Sequence, residues 1–290
     1  MSQPTDVTGV PEEEGRVDTT GLEEFDEDDA LEEEEVDEEE DPLEGEEEPE
    51  EGEDAEGRVL DIPDTIKEGA RGDGVKLLQK SLNRYGYGLG VDGDFGPRTD
   101  TAVRRFQHVM GISVDGVVGP ETWRYVLRTP RRLIKKLRRK GIKMPRRAVE
   151  ESVRTKCRLA CACVLLVKES GGGMNVYGND PVRCNGTPTG GTVTEANYRS
   201  YKANRSRCGA QGVGPLQLTW PGFQVRADAQ GGCWRPRVNI RVGLDIFAGY
   251  MREDGMRTAY RKYNGSGPAA ERYADDAMRL TRIWQRTIRV

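Results

Sequence analysis

Histidine is almost absent from this 290-residue chain, which contains only His108. Zinc peptidases and zinc amidases bind their metal through histidines, and Ser/His or Cys/His hydrolases need one beside the nucleophile. His108 lies in a small helical pattern remote from every cysteine, so we interpret it as a packing or surface residue. We expect no metal and no other cofactor, and any hydrolytic chemistry should depend on carboxylates.

Cysteine is absent from the N-terminal half, whereas the C-terminal half has six. An even number permits disulfides in an oxidising environment. The C-x3-C-x-C spacing of 157–163 differs from the paired C-x2-C pattern of structural zinc sites. We therefore expect buried thiols or a disulfide among these residues: Cys157, Cys161, Cys163, Cys184, Cys208 and Cys233.

Long apolar runs are also absent, so we expect no transmembrane helix. The chain begins Met1-Ser2-Gln3-Pro4 and continues with acidic residues, which is opposite to the basic-then-apolar order of a signal peptide. We expect synthesis in a cytoplasm. Action outside the cell would then require release by another protein.

Charge is distributed very unevenly. Residues 1–60 contain 29 acidic and two basic residues, a net charge of −27, and the remainder contains 21 acidic and 42 basic residues, a net charge of +21. A segment so charged and so poor in large apolar residues is not expected to fold, so we predict that 1–60 is a disordered acidic arm. A basic body favours a polyanionic partner: nucleic acid, anionic lipid or a bacterial wall.

Residues 65–127 contain an internal repeat and two helical patterns. Val91–Thr99 is echoed by Val114–Thr122, and each copy has an Asp-Gly turn followed by Gly-Pro and a threonine. Together with Gly119–Trp123, the stretch V-D-G-x-F-G-x-x-T-x-x-A-V-x-x-F-Q of 91–107 resembles the small three-helix module that binds peptidoglycan. The resemblance implies that 61–129 is a peptidoglycan-binding domain.

Ten Lys/Arg residues and no acid occupy 131–147 within a predicted linker, 130–147. One interpretation is a solvated linker helix. The other is an electrostatic docking strip for anionic wall polymers or lipid headgroups, weakened by salt. Aromatic residues are absent here, which disfavours stacking on bases, and we expect no nucleic acid partner.

Residues 148–290 are predicted to form a second, mainly helical domain. Helical spacing favours helices over 152–168, 236–258 and 268–289, with long loops over 171–210. Glu169 follows an apolar run and precedes three glycines. Apolar surroundings raise the pKa of a carboxyl group, and glycines leave room for a substrate, as a general acid requires. The alternative is an exposed glutamate at a helix end.

Four motifs occur in order: E-S-G-G at 169–172, G-V-G-P-L-Q at 212–217, Y-N-G-S-G at 263–267, and a final helix containing Tyr273. Over residues 166–284 this order resembles the lytic transglycosylase and goose-type lysozyme superfamily. The chain departs from that pattern at Pro215-Leu216, where Leu-Met is usual. The resemblance implies a lysozyme-like α-helical domain that cleaves the MurNAc-GlcNAc β-1,4 bond.

The resemblance also implies roles for individual residues. Glu169 would be the catalytic acid/base, and the substrate-binding residues would be Ser170, Gln217, Tyr263, Asn264 and Tyr273. In a transglycosylase the muramyl 6-hydroxyl attacks, whereas in a muramidase water attacks, often activated by a second carboxylate. Asp180 and Glu195 lie in the right region for that task, although capping or solvating the loop is the alternative role. Both reactions stay open.

The two modules together, with no signal peptide expected, resemble a bacteriophage endolysin. The resemblance implies synthesis in the cytoplasm of a bacterial host and release by a separate holin-like protein, so that the protein acts on the cell wall in host-cell lysis. A virion-associated lysin is a variant of this hypothesis. The alternative is a non-catalytic wall-binding or virion structural protein with a degenerate lysozyme-like domain.

Overall fold

The computed structural model describes residues 62–180 and 190–289, so the predicted disordered arm, 1–60, lies outside the described residues. The described part contains eleven α-helices and isolated β-bridges but no strand, which confirms the mainly α fold class. The helices are α1 Asp73–Asn83, α2 Pro97–Met110, α3 Pro120–Val126, α4 Pro130–Arg139, α5 Pro145–Thr155, α6 Leu159–Ser170, α7 Glu195–Cys208, α8 Pro221–Asp228, α9 Pro236–Asp254, α10 Met256–Asn264 and α11 Gly267–Ile288.

Helices α1, α2 and α3 form the predicted three-helix module. Proline is the first residue of both α2 and α3, because its fixed φ suits a first turn where the missing N–H needs no partner. The aromatic side chains of Phe95, Phe106 and Trp123 are fully buried among these helices. Their burial supplies much of the apolar surface that a small module needs to fold.

Two buried glutamines explain the internal repeat. Gln79 Oε1 accepts from Gly93 N at 3.0 Å, and its Nε2 donates to Asp92 Oδ1 at 2.7 Å. Gln107 repeats this arrangement, accepting from Gly116 N at 3.0 Å and donating to Asp115 Oδ1 at 2.9 Å. The Asp-Gly repeat is therefore structural, since each copy satisfies the polar groups of one buried amide.

The basic segment is part of the packed body and not a solvated linker. Helix α4 buries Leu133, Ile134 and Leu137, while its Lys/Arg residues cover the other side. The spacing of these three residues places them on one face of the helix. Burial of that face offsets the cost of ordering so basic a segment.

The helix predicted over 152–168 is wrong, because the structure divides it into α5 and α6. Lys156 adopts a left-handed conformation with φ of 57°, and Arg158 is extended. A left-handed residue ends a helix, and the carbonyl of Ser152 accepts from Cys157 N across the break. This break changes the direction of the chain before the glutamate-bearing helix.

The long loop predicted over 171–210 is also wrong in part, because it contains helix α7. Thr194 accepts from Asn197 N, and Asn197 Oδ1 accepts from Thr194 N at 2.9 Å, which completes a capping box. The sequence T-x-x-N was the available indication of this helix start.

Helix α6 is the central helix of the C-terminal body. Every residue from Leu159 to Leu166 is buried, and α2, α5 and α11 pack against the helix. Val59–Val290 forms one compact unit. Since α6 is enclosed over most of its length, only its C-terminal end, with Glu169, meets the surface.

Candidate active site

Glu169 lies in the last turn of α6, where the side chain is partly buried. The glycines that follow have a structural reason. A Cβ on Gly172 would lie 2.1 Å from the carbonyl oxygen of Gly141, and Gly172 O accepts from Lys143 N at 2.8 Å. The expectation that these glycines simply leave room for a substrate is therefore corrected, because close backbone packing requires at least this one.

Tyr273 of α11 donates a hydrogen bond from its hydroxyl to Glu169 Oε1. Burial raises the pKa of Glu169 to about 7, although the Tyr273 hydrogen bond and the Lys168 charge both lower it. The negative charge of Asp180 acts in the same direction as burial. The carboxyl group is therefore poised to exchange a proton near neutral pH.

Lys168 and Asp276 hold Tyr273 beside the glutamate. Lys168 Nζ donates to Asp276 Oδ2 at 2.7 Å and lies 4.3 Å from the centroid of the Tyr273 ring. The Lys168 side chain is only 16% exposed, so this cation–π contact is partly desolvated. Sequence reasoning missed both charged residues, because α6 and α11 are far apart along the chain.

Asp180 and Gln217 lie together, and the charge of Asp180 acts on Glu169. Asp180 Oδ2 accepts from Gly212 N at 2.7 Å. A Cβ on Gly178 would lie 2.4 Å from Gln217 Oε1 and 2.8 Å from Asp180 Oδ2, so both side chains cover the same backbone. Gln217 Nε2 donates to the carbonyl oxygens of Val176 and Gly214 at 2.9 and 2.8 Å.

Ser170 and Tyr263 hold the 212–217 turn against the helices. Ser170 Oγ donates to Pro215 O at 2.6 Å, and Tyr263 OH donates to Leu216 O at 2.8 Å. Ser170 is buried, so the structure places its hydroxyl on the turn and not on Glu169. Burial raises the pKa of Tyr263 well above its ordinary value, and the nearby Glu169 adds to that effect.

A buried asparagine, Asn239 of α9, also holds the 212–217 turn. Its Oδ1 accepts from Leu216 N at 2.9 Å and its Nδ2 donates to Val213 O at 2.8 Å. No sequence motif singled out Asn239. Its amide forms two hydrogen bonds to the backbone of the turn, which fixes the position of the following Gln217.

Asn264 and Glu195 lie away from these contacts. Asn264 is the exposed last residue of α10, and none of the described hydrogen bonds joins its side chain to Glu169. Glu195 is in the first turn of α7 and forms an ion pair with Arg199. Of the two carboxylates considered for activating water, only Asp180 is close enough to Glu169 to affect its pKa.

The cysteines combine the two expected states. Cys157, Cys161, Cys163 and Cys233 are buried free thiols, and Cys208 is disulfide-bonded. Within 62–180 and 190–289, no cluster of three or more His, Cys, Asp or Glu residues has a metal-binding arrangement. None of the helices described in those ranges is long and apolar enough to cross a membrane.

The protein is thus mainly α-helical over its described residues and contains a peptidoglycan-binding module. Residues 71–125 match the family model "Putative peptidoglycan binding domain". Over 62 residues the chain is 44% identical to a zinc D-Ala-D-Ala carboxypeptidase from Streptomyces albus G, a match that covers 20% of this chain and 24% of the relative. Over 57 residues it is 49% identical to a spore cortex-lytic enzyme from Halalkalibacterium halodurans, covering 19% and 17%.

The chain spans less than half the length of the curated relatives that it matches. A longer overlap is found with the crystal structure of a Burkholderia AP3 phage endolysin, which covers 77% of this chain and all of that protein. Its sequence identity is 22% and its TM-score is 0.30. That TM-score is too low to support a shared fold.

Proposed function

We propose that this protein cleaves the glycan strands of peptidoglycan at the MurNAc-GlcNAc β-1,4 bond, with Glu169 as the general acid. The observation that carries the proposal is a partly buried carboxyl group with a pKa of about 7, hydrogen-bonded by Tyr273. A glycosidic oxygen is a poor leaving group unless it receives a proton as the bond breaks. A carboxyl group that remains protonated near neutral pH supplies that proton.

Each neighbour of Glu169 has a task in this proposal. When Glu169 gives up its proton, the Tyr273 hydroxyl stabilises the resulting carboxylate through its hydrogen bond to Oε1. Lys168 holds the tyrosine ring and adds a positive charge. Gln217, whose amide donates to two backbone carbonyl groups, is the substrate-binding residue of the 212–217 turn.

The second half of the reaction follows one of two routes. In the hydrolytic route Asp180 accepts a proton from the attacking water, and a reducing end is formed. In the transglycosylase route the muramyl 6-hydroxyl attacks instead, and an anhydro end is formed. The effect of the Asp180 charge on Glu169 supports the hydrolytic route.

The peptidoglycan-binding module holds the cleaving domain on its substrate. We propose that 61–129 binds peptidoglycan and 148–290 cuts it, as part of a lysin that a holin-like partner releases and that acts on the cell wall. The match at 71–125 supports the first part. The exposed Lys/Arg side of α4 would add binding to anionic wall polymers.

The test is digestion of purified peptidoglycan by the wild type and by Glu169→Gln. We expect the variant to lose at least about 1,000-fold in rate, because the amide cannot donate the proton. The matched control is Glu195→Gln, which removes an ion-paired carboxylate outside the site and should retain full activity. Mass spectrometry of the wild-type products then separates reducing ends from anhydro ends.

Equal wall-clearing rates for the wild type and Glu169→Gln would contradict the proposal. Wall binding without any clearing by the wild type would support the non-catalytic alternative, a wall-binding or virion structural protein. Release of stem peptides without cleavage of the glycan would assign the chain to a different class of wall hydrolase.

A further inference from the structure

Trp220 is the most exposed of the four tryptophans. It is 62% exposed, whereas Trp123 and Trp284 are 0% and 7% exposed and Trp234 is partly buried. Val225, on the following helix, is 52% exposed. An indole left in solvent loses the free energy of burial, so an exposed apolar patch of this kind commonly marks a binding surface.

The indole ring has a defined position. A Cβ on Gly222 would lie 2.1 to 2.6 Å from three atoms of the six-membered ring of Trp220, so the ring lies directly against this glycine. Phe223 contacts the ring edge-on, with a centroid distance of 4.9 Å and an angle of 75° between the planes. Glycine at 222 is what allows the indole to lie so close to the first turn of α8.

The segment that joins Trp220 to the candidate active site is also fixed. Gln224 is fully buried, and its Nε2 donates to Leu218 O at 2.7 Å and to Gln211 O at 3.0 Å. Thr219 Oγ1 donates to Gln217 O at 3.1 Å. These hydrogen bonds keep Trp220 in a constant position relative to Gln217. The Cα atoms of the two residues are at most about 11 Å apart, because only three residue steps separate them.

We propose that Trp220 is a sugar-stacking platform that binds the apolar C–H face of an N-acetylhexosamine ring of the glycan strand. This inference rests on the proposed function, since it extends the substrate site beyond the sugars at Glu169 and Gln217. A pyranose ring carries axial C–H bonds on its faces and hydroxyls at its rim. A flat, rigid indole buries the face and leaves the hydroxyls in water, so it recognises a strand that continues past the cleavage point.

The test uses the full chain with Glu169→Gln, so that the probe is not cut, and the β-1,4-linked hexasaccharide of N-acetylglucosamine. We expect the hexasaccharide to quench and blue-shift the tryptophan emission, and Trp220→Phe to remove that change. By calorimetry, Trp220→Ala should bind the hexasaccharide about ten-fold more weakly. Trp220→Phe, which keeps an aromatic face, should stay within about three-fold of the parent. The control Ile283→Ala, at an exposed apolar position of α11, should bind like the parent.

Unchanged hexasaccharide affinity in Trp220→Ala would overturn the proposal that Trp220 stacks on a sugar ring. So would an emission change that anionic phospholipid vesicles produce and the hexasaccharide does not, because the patch would then be a membrane-contact surface. The two proposals fail separately. A wild type that does not cut walls refutes the cleavage proposal but leaves hexasaccharide binding by Trp220 intact, whereas normal cleavage with no Trp220 response refutes only the platform.

Discussion

The pKa of Glu169 is set by opposing influences from burial and from the polar and charged groups around it. Burial and the Asp180 charge favour its protonated form, whereas Tyr273 and Lys168 favour the carboxylate. The result is a pKa of about 7, between that of an exposed glutamate and that of a fully desolvated one. A small change in one neighbour should therefore move the pH range in which the acid is protonated.

We predict that Lys168→Gln shifts the alkaline limit of wall cleavage to higher pH. Lys168 lowers the pKa of Glu169, so removing its charge raises that pKa. Because the general acid is active when protonated, activity then persists to higher pH and is lost only as pH rises through the new value. The measurement is the rate of wall clearing as a function of pH for the variant and the wild type.

Arg279→Gln is the matched control for this experiment. Arg279 also pairs with Asp276, at 2.7 Å, but it does not contact the Tyr273 ring in the described contacts. Its removal should leave the alkaline limit in place. A shift of the Lys168→Gln profile toward lower pH would show that the lysine acts on Glu169 in the opposite sense.

At the scale of elements, the site depends on how α6 and α10 hold the 212–217 turn. Ser170 and Tyr263 each donate to a carbonyl group of that turn, and Asn239 binds it from α9. Three helices thus meet on one short segment, which ends at Gln217 and leads to Trp220 at the start of α8. Ser170, Tyr263 and Asn239 act on the substrate only through the turn, so they are positioning residues.

We predict that Ser170→Ala destabilises the protein by about 1 to 2 kcal/mol, because a buried carbonyl loses its hydrogen-bond donor. The contact removed is the 2.6 Å hydrogen bond to Pro215 O. Chemical denaturation of both proteins measures the change in the free energy of unfolding. The control Ser200→Ala, at an exposed position of α7, should change the free energy of unfolding by less than about 0.5 kcal/mol. An equal loss in both variants would contradict the structural role of the Ser170 hydrogen bond.

At the scale of the whole molecule, the binding module is docked on the helical body. Arg105 of α2 donates to Val153 O at 2.9 Å and Arg154 O at 2.8 Å, at the end of α5. Gln285 of α11 donates to Met110 O at 2.8 Å and to Gly111 O at 3.0 Å. These contacts hold the module in one orientation relative to Glu169.

We predict that the full chain shows one main thermal transition that includes the module, and that combining Arg105→Ala with Gln285→Ala separates it into two. The substitutions remove hydrogen bonds between the module and the body and leave the buried apolar side chains in place, so cooperativity between the two should fall. Differential scanning calorimetry measures the number of transitions. The exposed control Gln230→Ala should keep the wild-type profile, and an unchanged profile in the double variant would refute the coupling.

The sequence by itself determined the local features of this protein. The helical spacing of 75–82 and 99–106 lies within α1 and α2, and the repeated Asp-Gly and Gly-Pro turns lie where they were expected. The same is true of Glu169 at the end of an apolar helix. These features depend on neighbours a few residues apart, which a sequence displays directly.

Only the tertiary structure decided which distant residues meet. Tyr273 contacts Glu169 across 104 residues, and Lys168 contacts Asp276 across 108. The break at Lys156 and the buried face of α4 likewise follow from packing against other helices. Helical spacing shows which face of a helix is apolar but not which other helix covers that face. The pKa of Glu169 and the position of the 212–217 turn are therefore decided only when the helices pack together.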